Sequence, residues 1–209
     1  MITKDNILKW LKHYAEIISE NKEYLTELDS AIGDADHGIN MNRGFQKVVE
    51  KLPTVQDQDI SKILKNVGMT LMSSVGGASG PLYGTFFMQS GNRIQGKMEL
   101  SDQDFLFFYE DGIKGILKRG RPNLQDKTMY DAMDPALNAL KSSIDQHLDT
   151  VNCLRAMVNA AEKGMKDTIP LQARKGRASY LGERSIGHQD PGATSSYLLL
   201  KSLLDVIST

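Results

Sequence analysis

Apolar residues recur at three- and four-residue steps through almost the whole chain, and this helical period restricts the fold more than any other feature. From Asn6 to Ile18 the pattern is carried by Ile7, Leu8, Leu11, Ala15 and Ile18. It returns over Tyr24–Ile32, Met41–Leu52, Ile60–Val75, Leu106–Leu117, Leu154–Met165 and Tyr197–Ile207, each bounded by Gly, Pro or a capping residue. A further apolar helix is expected to begin around Leu82, and another to open after Met129. Strand-like alternation is scarce. Ser101 with Asp104 has the spacing of a capping box, and Asp190 before Pro191 reads as an N-cap with proline at the first helical position. The expected architecture is all-α, with antiparallel neighbours joined by short connections. At 209 residues, 40% of them hydrophobic, the chain can bury one sizeable core, and no repeat or low-complexity linker divides it.

Charge and cysteine usage exclude several classes of function. With a formal net charge of -1 and no long run of one sign, the footprint of a nucleic-acid binder is missing. The one cysteine, Cys153, rules out a disulfide framework or a thiolate zinc site within the chain, which favours a reducing compartment. No segment approaches the ~18 uninterrupted apolar residues of a membrane span. The expectation is a soluble, cytoplasmic protein without a targeting segment.

Chemistry concentrates in four polar connections. The first, Leu28 to Gly38, places Asp29, Asp34 and Asp36 within eight residues around a turn between Gly33 and Gly38. If Asp29 ends a helix and the chain bends at Gly33, the three carboxylates converge. An oxygen-only set suits magnesium or calcium over zinc, and its spacing is not that of an EF-hand. The other reading is that Asp34 and Asp36 close turns and Asp29 is solvated. His37 is a candidate nucleotide contact, and Asn40, near the start of the next helix, is a candidate for hydrogen bonding phosphate or for capping. The second connection, Ser73 to Pro81, is rich in small residues whose backbone N–H groups suit a phosphate, yet it lacks the Lys-Ser/Thr of a P-loop. The third, Gly120 to Met129, offers Asp126 or Thr128 as a helix cap. The last, Gln172 to Ser195, combines Arg174, Lys175, Arg177 and Arg184 with the helix N-terminus at Asp190, a combination that suits an anion and otherwise reads as a solvated basic loop.

Taken in order, Gly-Asp-Ala-Asp-His-Gly at 33–38, Ser-Val-Gly-Gly-Ala-Ser-Gly-Pro at 74–81, Asp-Lys-Thr-Met at 126–129 and the stretch from Gln172 to Ser195 resemble one family over nearly the whole chain. It is the nucleotide-binding L subunit of phosphoenolpyruvate-dependent dihydroxyacetone kinase. The resemblance implies an up-and-down barrel of about eight antiparallel amphipathic helices, with residues 1–209 forming a single nucleotide-binding domain. It implies ADP or ATP at one rim, its diphosphate held through two Mg2+ ions on Asp29, Asp34 and Asp36. It further implies that His37, Gly38, Ile39, Asn40, Ala78, Ser79, Gly120, Met129, Arg177, Asp190, Pro191 and Gly192 line the nucleotide, with Met129 against the adenine. Related sequences usually carry Gly before Asp-Lys-Thr-Met, where this chain has Gln125.

By the same resemblance, dihydroxyacetone sits covalently on a histidine of a separate K subunit that docks against the nucleotide rim. A phosphohistidine on an M subunit of the phosphotransferase relay recharges bound ADP in place. The resemblance also implies a homodimer within the hetero-oligomer. No residue reads as a general base, as expected where positioning and electrostatics carry the catalysis, and Arg177 is the candidate catalytic phosphate clamp. The free-standing length favours the phosphotransferase form. The alternatives are a subunit that exchanges free ATP, and a nucleotide-loaded regulatory subunit that docks a transcription factor.

Overall fold

In the computed structural model, which describes residues Met1–Thr209, eight helices close a ring and a ninth, shorter one packs on two of them. The helices are α1 (Lys4–Glu20), α2 (Lys22–Ile32), α3 (His37–Lys51), α4 (Ile60–Ser74), α5 (Ser79–Ser90), α6 (Asp102–Gly120), α7 (Tyr130–Asp145), α8 (Thr150–Asp167) and α9 (Pro191–Ile207). From α3 to α9 each helix packs on the next in sequence, and α1 packs on both α3 and α9, which closes the barrel. The short α2 sits against α3 and α9. Strand structure is limited to Ile2–Thr3 pairing antiparallel with Glu99–Leu100.

Local sequence explains the boundaries. The box of Ser101 with Asp104 caps α6, and Asp190 caps α9 by accepting from the Ala193 N–H at 2.7 Å, with Pro191 in the first turn. Neither Asp126 nor Thr128 takes the N-cap of α7, which falls to Met129 without a side-chain cap. Asp126 instead accepts from the Asn123 N–H at 2.8 Å and closes its own turn, leaving Thr128 Oγ1 to receive the Tyr130 N–H at 3.2 Å. The third helix begins at His37, three residues before the expected start at Asn40.

The core is one contiguous cluster of 45 buried apolar residues. Burial of this kind, at roughly 25 cal/mol per Å2 of apolar surface, is the main stabilising term of the fold. Aromatic rings fill its centre: Tyr14 and Phe45 meet edge to face at 4.6 Å between centroids, and Phe86 and Phe87 at 5.3 Å. The closing seam between α1 and α9 is tied by hydrogen bonds. Trp10 Nε1 donates to Leu199 O at 2.9 Å, and the Tyr14 hydroxyl donates to Ser195 O at 2.9 Å. Elsewhere the helices approach closely because a side chain is missing. A Cβ on Gly38 would lie 2.0 Å from Lys22 O, and one on Gly164 would lie 2.1 Å from Asp131 O.

Candidate nucleotide and metal site

All four polar connections meet at one end of the barrel and enclose a cavity of about 290 Å3. On one side, the last turn of α2 and the turn at Gly33–Asp36 bring the carboxylates together. One oxygen from each of Asp29, Asp34 and Asp36 lies within 4.8 Å of the others. Asp29 is fixed in place, since its Oδ2 accepts from the backbone N–H of Asp36 at 2.8 Å and of His37 at 3.1 Å. A Cβ on Gly33 would fall 2.1 Å from Asp29 Oδ1, so only glycine lets the chain fold over that carboxylate. An all-oxygen set with one member preorganised and two more exposed to the cavity fits a hard divalent cation.

Opposite, Arg177 opens a 3-10 segment, Arg177–Ser185, which kinks at Gly182. Its Nε lies 3.0 Å from Asp34 Oδ2, and both side chains keep substantial exposure. Such a pair is worth at most about 1 kcal/mol and gives way readily to a stronger partner. Lys175 lines the same wall.

The cavity floor is a hydroxyl and imidazole network. His37 is buried, with Nδ1 3.1 Å from Ser79 Oγ and Nε2 2.9 Å from Ser195 Oγ. Burial pulls its pKa down to about 4 against the opposing fields of Asp29 and Asp36, so the ring is neutral near pH 7. The Tyr83 hydroxyl continues the network, 2.8 Å from Ser195 Oγ and 2.9 Å from Ser196 Oγ, and burial raises its pKa to about 12.

The remaining walls are backbone-rich. Ala78 and Ser79 start α5 after the loop at Gly76 and Gly77, where φ of +64° at Gly77 requires glycine. Gly120 ends α6, Met129 begins α7, and Asp190, Pro191 and Gly192 begin α9, all of them on the cavity. The sequence-predicted residues therefore converge, with two exceptions. Gly38 faces the backbone of α2, and Ile39 is half exposed outside the cavity. Asn40 reaches the cavity from the fourth position of α3, where its Oδ1 accepts from Arg43 Nη2 at 2.7 Å. Sequence reasoning passed over Tyr83, Leu82, Ile116, Pro122 and Lys127, all of which line it. Leu82, Tyr83 and Ile116 sit at helical spacing and carry no signal apart from core packing, and Pro122 lies in the α6–α7 connection.

Residues 31–205 match the DAK2 domain family. The chain belongs to that family. This DAK2 domain is 52% identical over 202 residues to the ADP-binding subunit of the PEP-dependent dihydroxyacetone kinase of Escherichia coli, covering 97% of this chain and 96% of that one. It is 43% identical over 208 residues, the full length of both chains, to the ADP-binding subunit of the PTS-dependent dihydroxyacetone kinase of Lactococcus lactis. Its relatives thus place it among kinase subunits. Among solved structures, its fold matches the dihydroxyacetone kinase from C. freundii in complex with AMP-PNP and Mg2+, with a TM-score of 0.71 at 23% identity. That match covers 95% of this DAK2 domain and 33% of the longer C. freundii chain. The fold observed is the all-α architecture expected from the helical period, closed into the barrel that the resemblance implied.

Proposed function

We propose that this protein is the ADP-binding subunit of a dihydroxyacetone kinase recharged by a phosphoenolpyruvate-driven phosphotransferase relay, with residues 1–209 acting as one nucleotide-binding domain. The observation that carries the reading is the convergence of Asp29, Asp34 and Asp36 on one cavity with Arg177, which pairs with Asp34, and with the N-terminus of α9. Carboxylates repel a diphosphate unless cations lie between them, so the trio has a use in a nucleotide site only together with metal.

Magnesium, two ions in this reading, would offset the charge of the diphosphate and of the phosphoryl group in transit. The chain's own residues supply the frame. Asp29, held by two backbone N–H groups, sets where the cation side begins, and Asp34 and Asp36 complete it. Arg177 leaves Asp34 for the phosphate, where a guanidinium gives a charge-assisted, bidentate contact. The loop at Ala78–Ser79 and the start of α9 at Asp190–Gly192 present backbone to the nucleotide, and Met129 offers adenine a soft apolar surface. Bound nucleotide would carry the phosphoryl group from a phosphohistidine of the M subunit to a hydroxyl of dihydroxyacetone held on the K subunit. Both partners reach the nucleotide through the open end of the barrel.

Native mass spectrometry of the purified chain in magnesium, repeated after extensive dialysis, tests this reading. Retained ADP with metal is the expected result. Rapid loss with full rebinding would assign an exchanging, ATP-consuming subunit instead, and absence of any nucleotide-sized mass would contradict the proposal.

A further inference from the structure

Lys127 is the one lysine the fold buries completely, at 1% exposure, and it belongs to the Asp-Lys-Thr-Met motif. Its ammonium does not reach for a ligand. Nζ donates to Thr168 O at 2.8 Å and Leu171 O at 3.1 Å, contacts Ile169 O at 3.4 Å, and also donates to His188 O. An ammonium has three N–H donors, and these four carbonyls consume them all. The backbone of Lys127 is left-handed, with φ of +62°, and Gln125 two residues earlier has φ of +70°. Conformations of this kind persist in non-glycine residues only where surrounding contacts impose them, and they concentrate near functional sites.

The carbonyls come from the two ends of the α8–α9 connection, the stretch leaving α8 and the stretch entering α9, with the 3-10 segment Arg177–Ser185 between them. Both are coupled onward to the cavity. Thr168 Oγ1 accepts from the Asp190 N–H at 3.0 Å, fixing the residue that caps α9. The Arg174 N–H donates to Asp126 O at 3.0 Å, tying the segment that carries Arg177 to the turn that carries Lys127. On the cavity side, an added Cβ at Gly192 would lie 3.5 Å from Met129 N, so the start of α9 abuts the start of α7.

We propose that Lys127 is a positioning residue, an internal cation whose carbonyl cage joins the Met129 turn to the N-terminus of α9 and so sets the wall that grips the nucleotide. This rests on the nucleotide-binding reading above and assigns a role within that site to a residue that has no free donor for phosphate. Removing the ammonium leaves Leu171 O and His188 O without a donor, while Thr168 O keeps the Leu171 N–H and Ile169 O the Gly187 N–H, so the clamp between the two stretches loosens. The wall at Asp190–Gly192 then loses its register against Met129.

The test uses the full chain, ADP and magnesium, with calorimetric titration well below the melting temperature of each variant. Lys127→Met, folded by circular dichroism, is expected to bind ADP at least tenfold more weakly than wild type. Lys127→Ala is expected to recover part of its affinity in n-propylammonium, which replaces the missing methylenes and ammonium, but not in tetramethylammonium, which has no N–H. Wild type should respond to neither. A folded Lys127→Met that binds ADP as wild type does, or a Lys127→Ala whose loss propylammonium leaves unchanged, would overturn the role, because a lysine that only stabilises the fold lowers the melting temperature and leaves affinity intact. If both variants fail to fold, Thr168→Val cuts the link from the cage to Asp190 while leaving Lys127 in place. Weaker ADP binding is then expected, and unchanged affinity overturns the proposal. Failure of wild type itself to bind ADP would strike the underlying reading of the site and not the role of Lys127 alone.

Discussion

Asp190 shows how one buried carboxyl can serve the site at a cost to the fold. It caps α9 through the Ala193 N–H, yet burial, aided by the fields of Asp131 and Asp29, raises its pKa to about 7 from 3.8, while the Ala193 N–H and Lys127 oppose the rise. The folded state therefore holds this proton more tightly than the unfolded chain does. Stability falls as pH climbs from about 4 through about 7, and the full penalty above that window is on the order of 4 kcal/mol. Asp190→Asn keeps an acceptor for the cap and removes the charge. In urea melts it should be more stable than wild type at pH 8, with the difference shrinking toward pH 4; parallel pH profiles would contradict this. His37 runs the other way, since its pKa of about 4 makes its contribution complete above the unfolded value of 6.5 and lost as pH falls toward 4. Comparing the variant with wild type cancels that term. At this scale the sequence was informative where chemistry is unusual in composition, as with three aspartates in eight residues. It placed Lys127 in the Asp-Lys-Thr-Met motif but gave it no role, because the carbonyls that surround its ammonium lie more than forty residues away in sequence.

Among elements, α7 was the hardest to read. Pro135 lies inside it, and a proline interrupts the expected period while removing the donor that the Asp131 carbonyl would otherwise receive. The structure places Gly164 of α8 against that same carbonyl, where a Cβ would lie 2.1 Å from Asp131 O. Proline and glycine together allow α7 and α8 to pack closely. Gly164→Ala should cost about 1–3 kcal/mol through overpacking, measurable by chemical denaturation. It should also weaken ADP binding, because the Asp131 side chain receives the N–H groups of Gln125 and Thr128 and so holds the turn before Met129. A variant with wild-type stability would show that the crossing is looser than described. The other helices were legible because each has one apolar face. For α5 the apolar residues surround the axis, so its start at Ser79 had to be located from the glycine-rich loop before it, and the expected start at Leu82 fell one turn late.

At the scale of the whole molecule, eight helices in a ring leave their connections at two ends, and one end collects every polar motif in the sequence. Ring closure was implied by the family resemblance and not by the helical period, since the pairing of α1 with α9 depends on Trp10 and Tyr14 reaching carbonyls 189 and 181 residues away in sequence. Without that closure Ser195 would not stand beneath His37, and the two halves of the cavity would not face each other. The central claim is that the aspartate trio and the opposing walls form a metal-dependent nucleotide site. Calorimetric titration of ADP into the wild-type chain, with magnesium and again with excess EDTA, tests it most directly alongside Asp34→Ala, whose side chain is partly exposed and makes no hydrogen bond that the fold requires. Saturable binding that EDTA abolishes and Asp34→Ala weakens at least tenfold is the predicted result; ADP binding of equal strength with and without magnesium, or none in either condition, would contradict the account.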